Sequence, residues 1–178
     1  FVDHGHGLSC RTAVIRQGEK DIANLIYGHA ATIWRINLGW TRRADKNQCG
    51  FVLDVERGYW AKNQQDAEDD EQDPVAQRTK RVIPYVEDRK NCLLFAPVEN
   101  MEESKIISLQ SALKNAIQVE YQLEDSELAA VSLPSRENPR VILFYEAAEG
   151  GAGVLRRLLD DPQAIPNIAK RALSISHF

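Results

Sequence analysis

Residues Arg140-Val141-Ile142-Leu143-Phe144-Tyr145-Glu146 are apolar almost throughout, and Gly150-Gly151-Ala152-Gly153 follows within four positions. A strand alternating apolar and polar side chains buries one face, whereas an unbroken apolar run needs cover on both. The run at 140–146 therefore reads as a central strand. Glycines reach positive φ at little steric cost, so the chain can turn sharply after it. Val154, Leu155, Leu158 and Leu159 then repeat at helical spacing, which calls for a helix lying back on a core. Pro162 permits a second helix start, and Ile165, Ile168, Ala169, Ala172 and Leu173 mark the apolar side of a last helix.

The rest of the chain fits around this unit. Thr32, Trp34, Ile36 and Leu38 alternate while Gly39 and Gly50 punctuate the run, so strands are expected near 31–38 and 50–56, with 41–48 as a polar hairpin connection. Phe51, Leu53 and Val55 alternate with polar or smaller residues, and Gly58 precedes Tyr59 and Trp60. That pattern predicts a half-buried strand ending in an aromatic anchor. Residues 81–88 and 92–96 read as two further strands joined by the charged turn Glu87-Asp88-Arg89-Lys90-Asn91, Pro84 confining the first to an edge or a bulge. From Asn100 the period changes: Ile106, Leu109, Leu113, Ala116 and Ile117 recur at three and four residues, which places a helix at about 101–122. Asn100 and Glu103 have the spacing of a capping box. Residues 128–133 form a strand paired with 140–146 across a turn at 134–139. The fold class is α+β: a mostly antiparallel β N-terminal part, then a helix, a strand pair and two C-terminal helices packed on a sheet. Residues 1–98 form the β-rich region, with a disordered acidic loop at about 62–78, and 99–178 an α/β domain.

The chain has 178 residues, 43% of them hydrophobic, enough to bury a substantial core. The net charge of −4 argues against a nucleic-acid partner until its distribution is seen: Asp66, Glu68, Asp69, Asp70, Glu71 and Asp73 contribute −6, leaving +2 elsewhere. Such an acidic run, with nothing larger than Ala67 to bury, cannot repay its ordering entropy. Cys10, Cys49 and Cys92 form no CxxC pair, which suits neither a disulfide framework nor a zinc knuckle. No run approaches the roughly 18 apolar residues of a membrane helix, and the N-terminus lacks the regions of a signal peptide. The chain starts at Phe1 without an initiator Met and ends apolar with no helix stop signal, so both ends read as cut and the parent protein as cytoplasmic.

Three kinds of site can be weighed. The glycine turn, with Glu146, Gly150, Gly151 and Gly153, opens a helix whose free N–H groups can take an anion. It has neither the Lys-Ser/Thr pair of a phosphate-binding loop nor a dinucleotide spacing, and Glu149 repels an anion, so a purely structural tight turn is the favoured reading, ahead of a DNA-phosphate contact. Basic pairs stand at Arg42-Arg43, Lys80-Arg81, Arg156-Arg157 and Lys170-Arg171, and with Arg35 and Arg57 close to Trp34, Trp40, Tyr59 and Trp60 they combine cations with stacking rings as a nucleic-acid groove does. The competing reading is scattered surface charge, with Trp34 and Trp60 in the core. His4 and His6 can chelate a transition metal, or simply belong to a solvated chain end. His29 and His177 stand alone. Glu146 with Glu120 or Asp125 lacks the lysine expected of a metal-dependent nuclease. No catalytic residue and no metal ligand is assigned.

Four blocks bear a resemblance to known proteins: Ala31-Thr32-Ile33-Trp34-Arg35-Ile36-Asn37-Leu38-Gly39-Trp40; Gly50-Phe51-Val52-Leu53-Asp54 through Gly58-Tyr59-Trp60; Asp88-Arg89-Lys90-Asn91-Cys92-Leu93-Leu94; and residues 143–155 with the glycine turn. From about residue 20 onward the chain resembles the C-terminal region of the helicase subunit of DISARM phage-defence systems. The last block is also similar to the domain shared with MrfA-type superfamily 2 repair helicases, in which two helices lead into four zinc-binding cysteines. The resemblance implies a non-motor accessory domain that helps bind DNA or a companion subunit carrying the same terminal domain. It implies ATP and Mg in the parent, since this chain has no GxxxxGK[ST], and zinc ligands downstream of residue 178. The alternative is a docking module that binds a partner protein without touching DNA; a stand-alone hydrolase built on Glu146 would need a nucleophile and base that the sequence does not show.

Overall fold

The computed structural model describes residues 10–42, 45, 47–56, 58–60, 79–133, 141–148 and 151–176. Outside them lie His4, His6, Arg43, Arg57, the acidic loop, the turn at 134–139, Glu149, Gly150 and His177. By contact the chain groups into two units, one drawn from Phe1–Ile33 and Arg89–Phe178, the other Trp34–Asp88. This grouping cuts across the boundary near residue 98 that the change of period suggests.

The first unit is built on a five-stranded sheet with strand order β1-β2-β6-β8-β7. Its strands are β1 (Cys10–Gln17), β2 (Lys20–Ile36), β6 (Tyr85–Pro97), β7 (Leu128–Ser132) and β8 (Ile142–Glu146). The sequence reading leaves β1 unassigned; it pairs antiparallel with β2 across a tight turn in which Gly18 has φ +64°. β8 lies between β6 and β7, antiparallel to both, and Ile142, Leu143 and Phe144 are all buried. That explains its unbroken apolar run, since successive strand residues point to opposite faces.

Three helices complete the described part of this unit: α1 (Glu103–Tyr121), α2 (Val154–Asp160) and α3 (Ala164–Ser176). Their apolar stripes, with Ile106, Ala116 and Ile117 from α1, Val154, Leu155 and Leu158 from α2 and Ile168 from α3, form one core cluster with Leu25, Leu93, Phe95, Leu128, Ile142 and Phe144 of the sheet. Each fully buried Leu, Ile or Phe contributes about 1.5–3 kcal/mol of transfer free energy. The capping box at Asn100 and Glu103 does not form. Glu102 is the N-cap, without a side-chain cap, and its carbonyl accepts from the Ile106 N–H at 3.0 Å. Asn100 is two positions too early to reach a free amide of the first turn. α1 ends at Gln122, which is left-handed at φ 55° and donates its N–H to the Gln118 carbonyl.

The second unit holds a three-stranded antiparallel sheet of order β4-β3-β5, from β3 (Phe51–Asp54), β4 (Tyr59–Trp60) and β5 (Thr79–Val82). Two expectations are corrected here. Among the described residues the strands flanking 41–48 share no ladder, since β3 pairs with β4 and β5, although the Gly50 N–H donates to the Leu38 carbonyl at 2.8 Å. The strand from 50 does not run on to an anchor at Trp60. It reverses after Asp54, whose buried carboxylate accepts from the Glu56 N–H at 3.0 Å while its carbonyl accepts from the Gly58 N–H at 2.8 Å.

Residues 87–91, expected as a charged turn, are continuous β6. Polar composition does not break a strand whose side chains reach solvent or partners. Glu87, Asp88 and Arg89 are exposed, the Trp34 indole N–H donates to Glu87 at 2.9 Å, and Lys90 and Asn91 are bonded as described next. Pro84 stands between β5 and β6, and its carbonyl accepts from the Asn37 N–H at 2.9 Å.

Candidate functional site

At the end of β8, Glu146 faces the helices and is 1% exposed. Its two carboxylate oxygens are used separately. Oε1 accepts from the Leu155 backbone N–H at 3.0 Å, satisfying one of the amides that the start of a helix leaves without an intrahelical acceptor. Oε2 accepts from Asn91 Nδ2 at 2.9 Å. Asn91, itself buried, turns its Oδ1 to the Ala30 N–H at 3.1 Å, which ties β6 to β2. Beside it Lys90 Nζ donates to the Ala147 carbonyl at 2.6 Å. The negative charge of a carboxylate near the N-terminus of α2 is favourable for the helix dipole.

The glycines of the turn have different tasks. Gly153, the N-cap of α2, is left-handed at φ 71°, and a Cβ there would meet nothing within 4 Å. Gly151 is also left-handed, at φ 65°, but a Cβ on it would stand 1.8 Å from Glu146 Oε2 and 2.7 Å from Asn91 Nδ2. The space a side chain would need at 151 is filled by the buried carboxylate. Because Glu146 already occupies the Leu155 amide, that amide is not open to a phosphate.

The charge of Glu146 reaches its neighbours. Burial, and secondarily Glu146, holds the Tyr27 hydroxyl above its ordinary pKa. Burial pushes the Cys92 thiol up to about 11, and Glu146 acts in the same direction. Cys10 is exposed and Cys49 partly so. Among the described residues no group of three or more His, Cys, Asp or Glu side chains could hold a metal.

The basic residues singled out in the sequence fall into both units. Arg35 on β2, Arg42, and Lys80 and Arg81 on β5 belong to the second unit and are exposed. Arg81 donates to Gln48 Oε1 at 3.0 Å. Arg156 and Arg157 are exposed on α2 in the first unit; Arg156 pairs with Asp160, which also pairs with Arg11. Trp34 and Trp60 are not core residues: they are 48% and 51% exposed. The sequence reading gives Asn91 and Phe51 no part in a site. A lone Asn at the head of the apolar run 92–95 was the available signal for Asn91, since a polar residue entering a buried strand needs a partner.

Residues 109–177 match the family model of the MrfA Zn-binding domain. That stretch contains no cysteine and a single histidine, His177, so it does not itself supply the four ligands of a tetrahedral zinc site. The fold extends the likeness to almost the whole chain. It is similar to part of a solved structure described as the DUF1998 helicase MrfA bound to DNA, with a TM-score of 0.51 and 12% identity over 96% of this chain. The chain spans 21% of that helicase's length. No curated protein matches the sequence.

Proposed function

We propose that this chain is a non-motor accessory domain of an ATP-dependent bacterial DNA helicase, where it helps bind DNA. The observation that carries the reading is the fold likeness over 96% of the chain to part of a helicase solved with DNA; the family match at 109–177 supports it. ATP and Mg would act in a motor elsewhere in the parent, because this chain has no GxxxxGK[ST]. Zinc in such a parent would need ligands from outside residues 109–177, which hold no cysteine. The finer placement, in the helicase subunit of a DISARM phage-defence system acting in the cytoplasm with a companion subunit, rests on the four sequence blocks. Among the described residues no helix is long and apolar enough to cross a membrane.

Arg35, Arg42, Arg43, Arg57, Lys80 and Arg81 in one unit and Arg156 and Arg157 in the other are the proposed phosphate contacts. Titrating labelled DNA with the purified chain at low salt tests this. Affinity should be independent of sequence and fall steeply with salt, and each charge reversal, such as Arg42→Glu or Lys80→Glu, should weaken binding evenly across sequences and lower the salt slope by about one. Absence of binding to any DNA at low salt would refute the DNA reading. It would favour the docking module instead, which the exposure of Ile36, Leu38, Tyr85 and Val86 in the second unit also supports.

A further inference from the structure

The small sheet of the second unit gathers aromatic rings on one face. Directly opposed residues of antiparallel strands share a face, and the register sets Leu53 opposite both Trp60 and Lys80. By the two-residue period Phe51 and Val82 lie on the same side. Phe51 makes edge-to-face contacts with two indoles, Trp40 at 6.2 Å and 78° and Trp60 at 5.7 Å and 63° between rings. Trp40 is nevertheless 76% exposed and Trp60 51%. The strand positions of this face carry one charge, Lys80, and no carboxylate, whereas the opposite face carries Asp54 and Arg81. Arg42 lies two residues beyond Trp40 and is exposed.

Edge-to-face packing fixes the angle of each indole against Phe51, while the exposure leaves ring surface open. A planar ligand gains most from rings already held in place, because less freedom is lost on binding. Bases within a duplex are stacked on one another and offer no free face; unpaired bases do, and they carry the phosphates that a lysine and an arginine would meet. An apolar protein partner fits less well, since covering this face would desolvate Lys80, and among the described residues the strand positions of the face offer it no carboxylate.

We propose that the Trp40–Phe51–Trp60 face binds unpaired DNA, stacking bases on Trp40 and Trp60 with Lys80 and Arg42 on the adjoining phosphates. This rests on the DNA-contact reading above and specifies the strand form and the residues. The test uses the 178-residue chain and three labelled probes of equal length, about twelve nucleotides: oligo(dT), a hairpin duplex and an abasic strand. Oligo(dT) should bind tightest. Trp40→Ala and Trp60→Ala should each weaken it roughly ten-fold while leaving duplex and abasic affinity unchanged, and Trp40→Phe should retain most of it. Wild-type protein that binds duplex or abasic strand as tightly as oligo(dT), or alanine variants that bind oligo(dT) normally, would overturn the stacking site and leave general DNA contact standing. Wild-type protein that binds none of the probes would overturn both. Should an alanine variant fail to fold, the wild-type comparison of oligo(dT) with the abasic strand decides alone.

Discussion

The buried chain of hydrogen bonds at the glycine turn has a parity that mutation can test. Its two ends are fixed donors, the Ala30 N–H and the Leu155 N–H. Between them an amide at 91 and a carboxylate at 146 supply acceptor, donor, acceptor, acceptor, so that every donor meets an acceptor. Glu146→Gln replaces one acceptor by a donor. Whichever way the new amide is turned, a donor then faces either Asn91 Nδ2 or the Leu155 N–H in a site that is 1% exposed. One buried donor left unsatisfied costs about 1–3 kcal/mol. Asn91→Asp has the opposite fault, since it sets a carboxylate oxygen against Glu146 Oε2 where the present contact is 2.9 Å. The double variant Asn91→Asp with Glu146→Gln restores the order of donors and acceptors with amide and carboxylate exchanged. It should recover to within about 1 kcal/mol of wild type, a coupling far outside additivity. All helices among the described residues lie in the unit that holds this site. Urea unfolding followed by circular dichroism at the helical band therefore reports on it, and in a thermal scan each kcal/mol should appear as a shift of about 2–4 °C. A double variant as unstable as the sum of its singles would refute the parity argument.

The two glycines should separate in the same assay. Gly153→Ala bears only the left-handed backbone, about 1–2 kcal/mol, whereas Gly151→Ala must also displace the buried carboxylate and should lose more; equal losses would show that the collision is relieved elsewhere. Cys92 should resist a disulfide reagent at pH 8 in the folded protein while Cys10 reacts at once, measured by the release of the reagent's chromophore. Its folded pKa of about 11 lies above the ordinary 9.0, so its contribution to stability is complete below pH 9 and is lost as pH rises from there through about 11. Unfolding midpoints that stay flat across that window, in comparison with Cys92→Ala, would contradict it.

What could be read in the sequence was whatever depended on neighbours in the chain. Apolar spacing along α1, α2 and α3 located those helices because one side of each meets the core. The unbroken run 140–146 located β8 because both its faces are covered. The errors came where partners lie far away. Residues 87–91 looked like a turn because their composition is charged, yet Glu87 meets Trp34, Lys90 meets Ala147 and Asn91 meets both Ala30 and Glu146. Glu146 could be grouped with the glycine turn by its nearness in the chain, but its capping of α2 needs Gly151 to be bare and Asn91 to arrive from β6. Trp60 looked like an anchor for want of any local sign that the chain reverses after Asp54.

The first unit is assembled from two separated stretches of sequence, and the strands at which it breaks off and resumes, β2 and β6, are neighbours in its sheet. For that unit Trp34–Asp88 amounts to a closed excursion whose ends are already held by the ladder. Lengthening such an excursion costs little, about 0.6 kcal/mol for each doubling. The length and content of this stretch can therefore change at small entropic cost to the first unit, because the pairing of β2 with β6 already holds its two ends together.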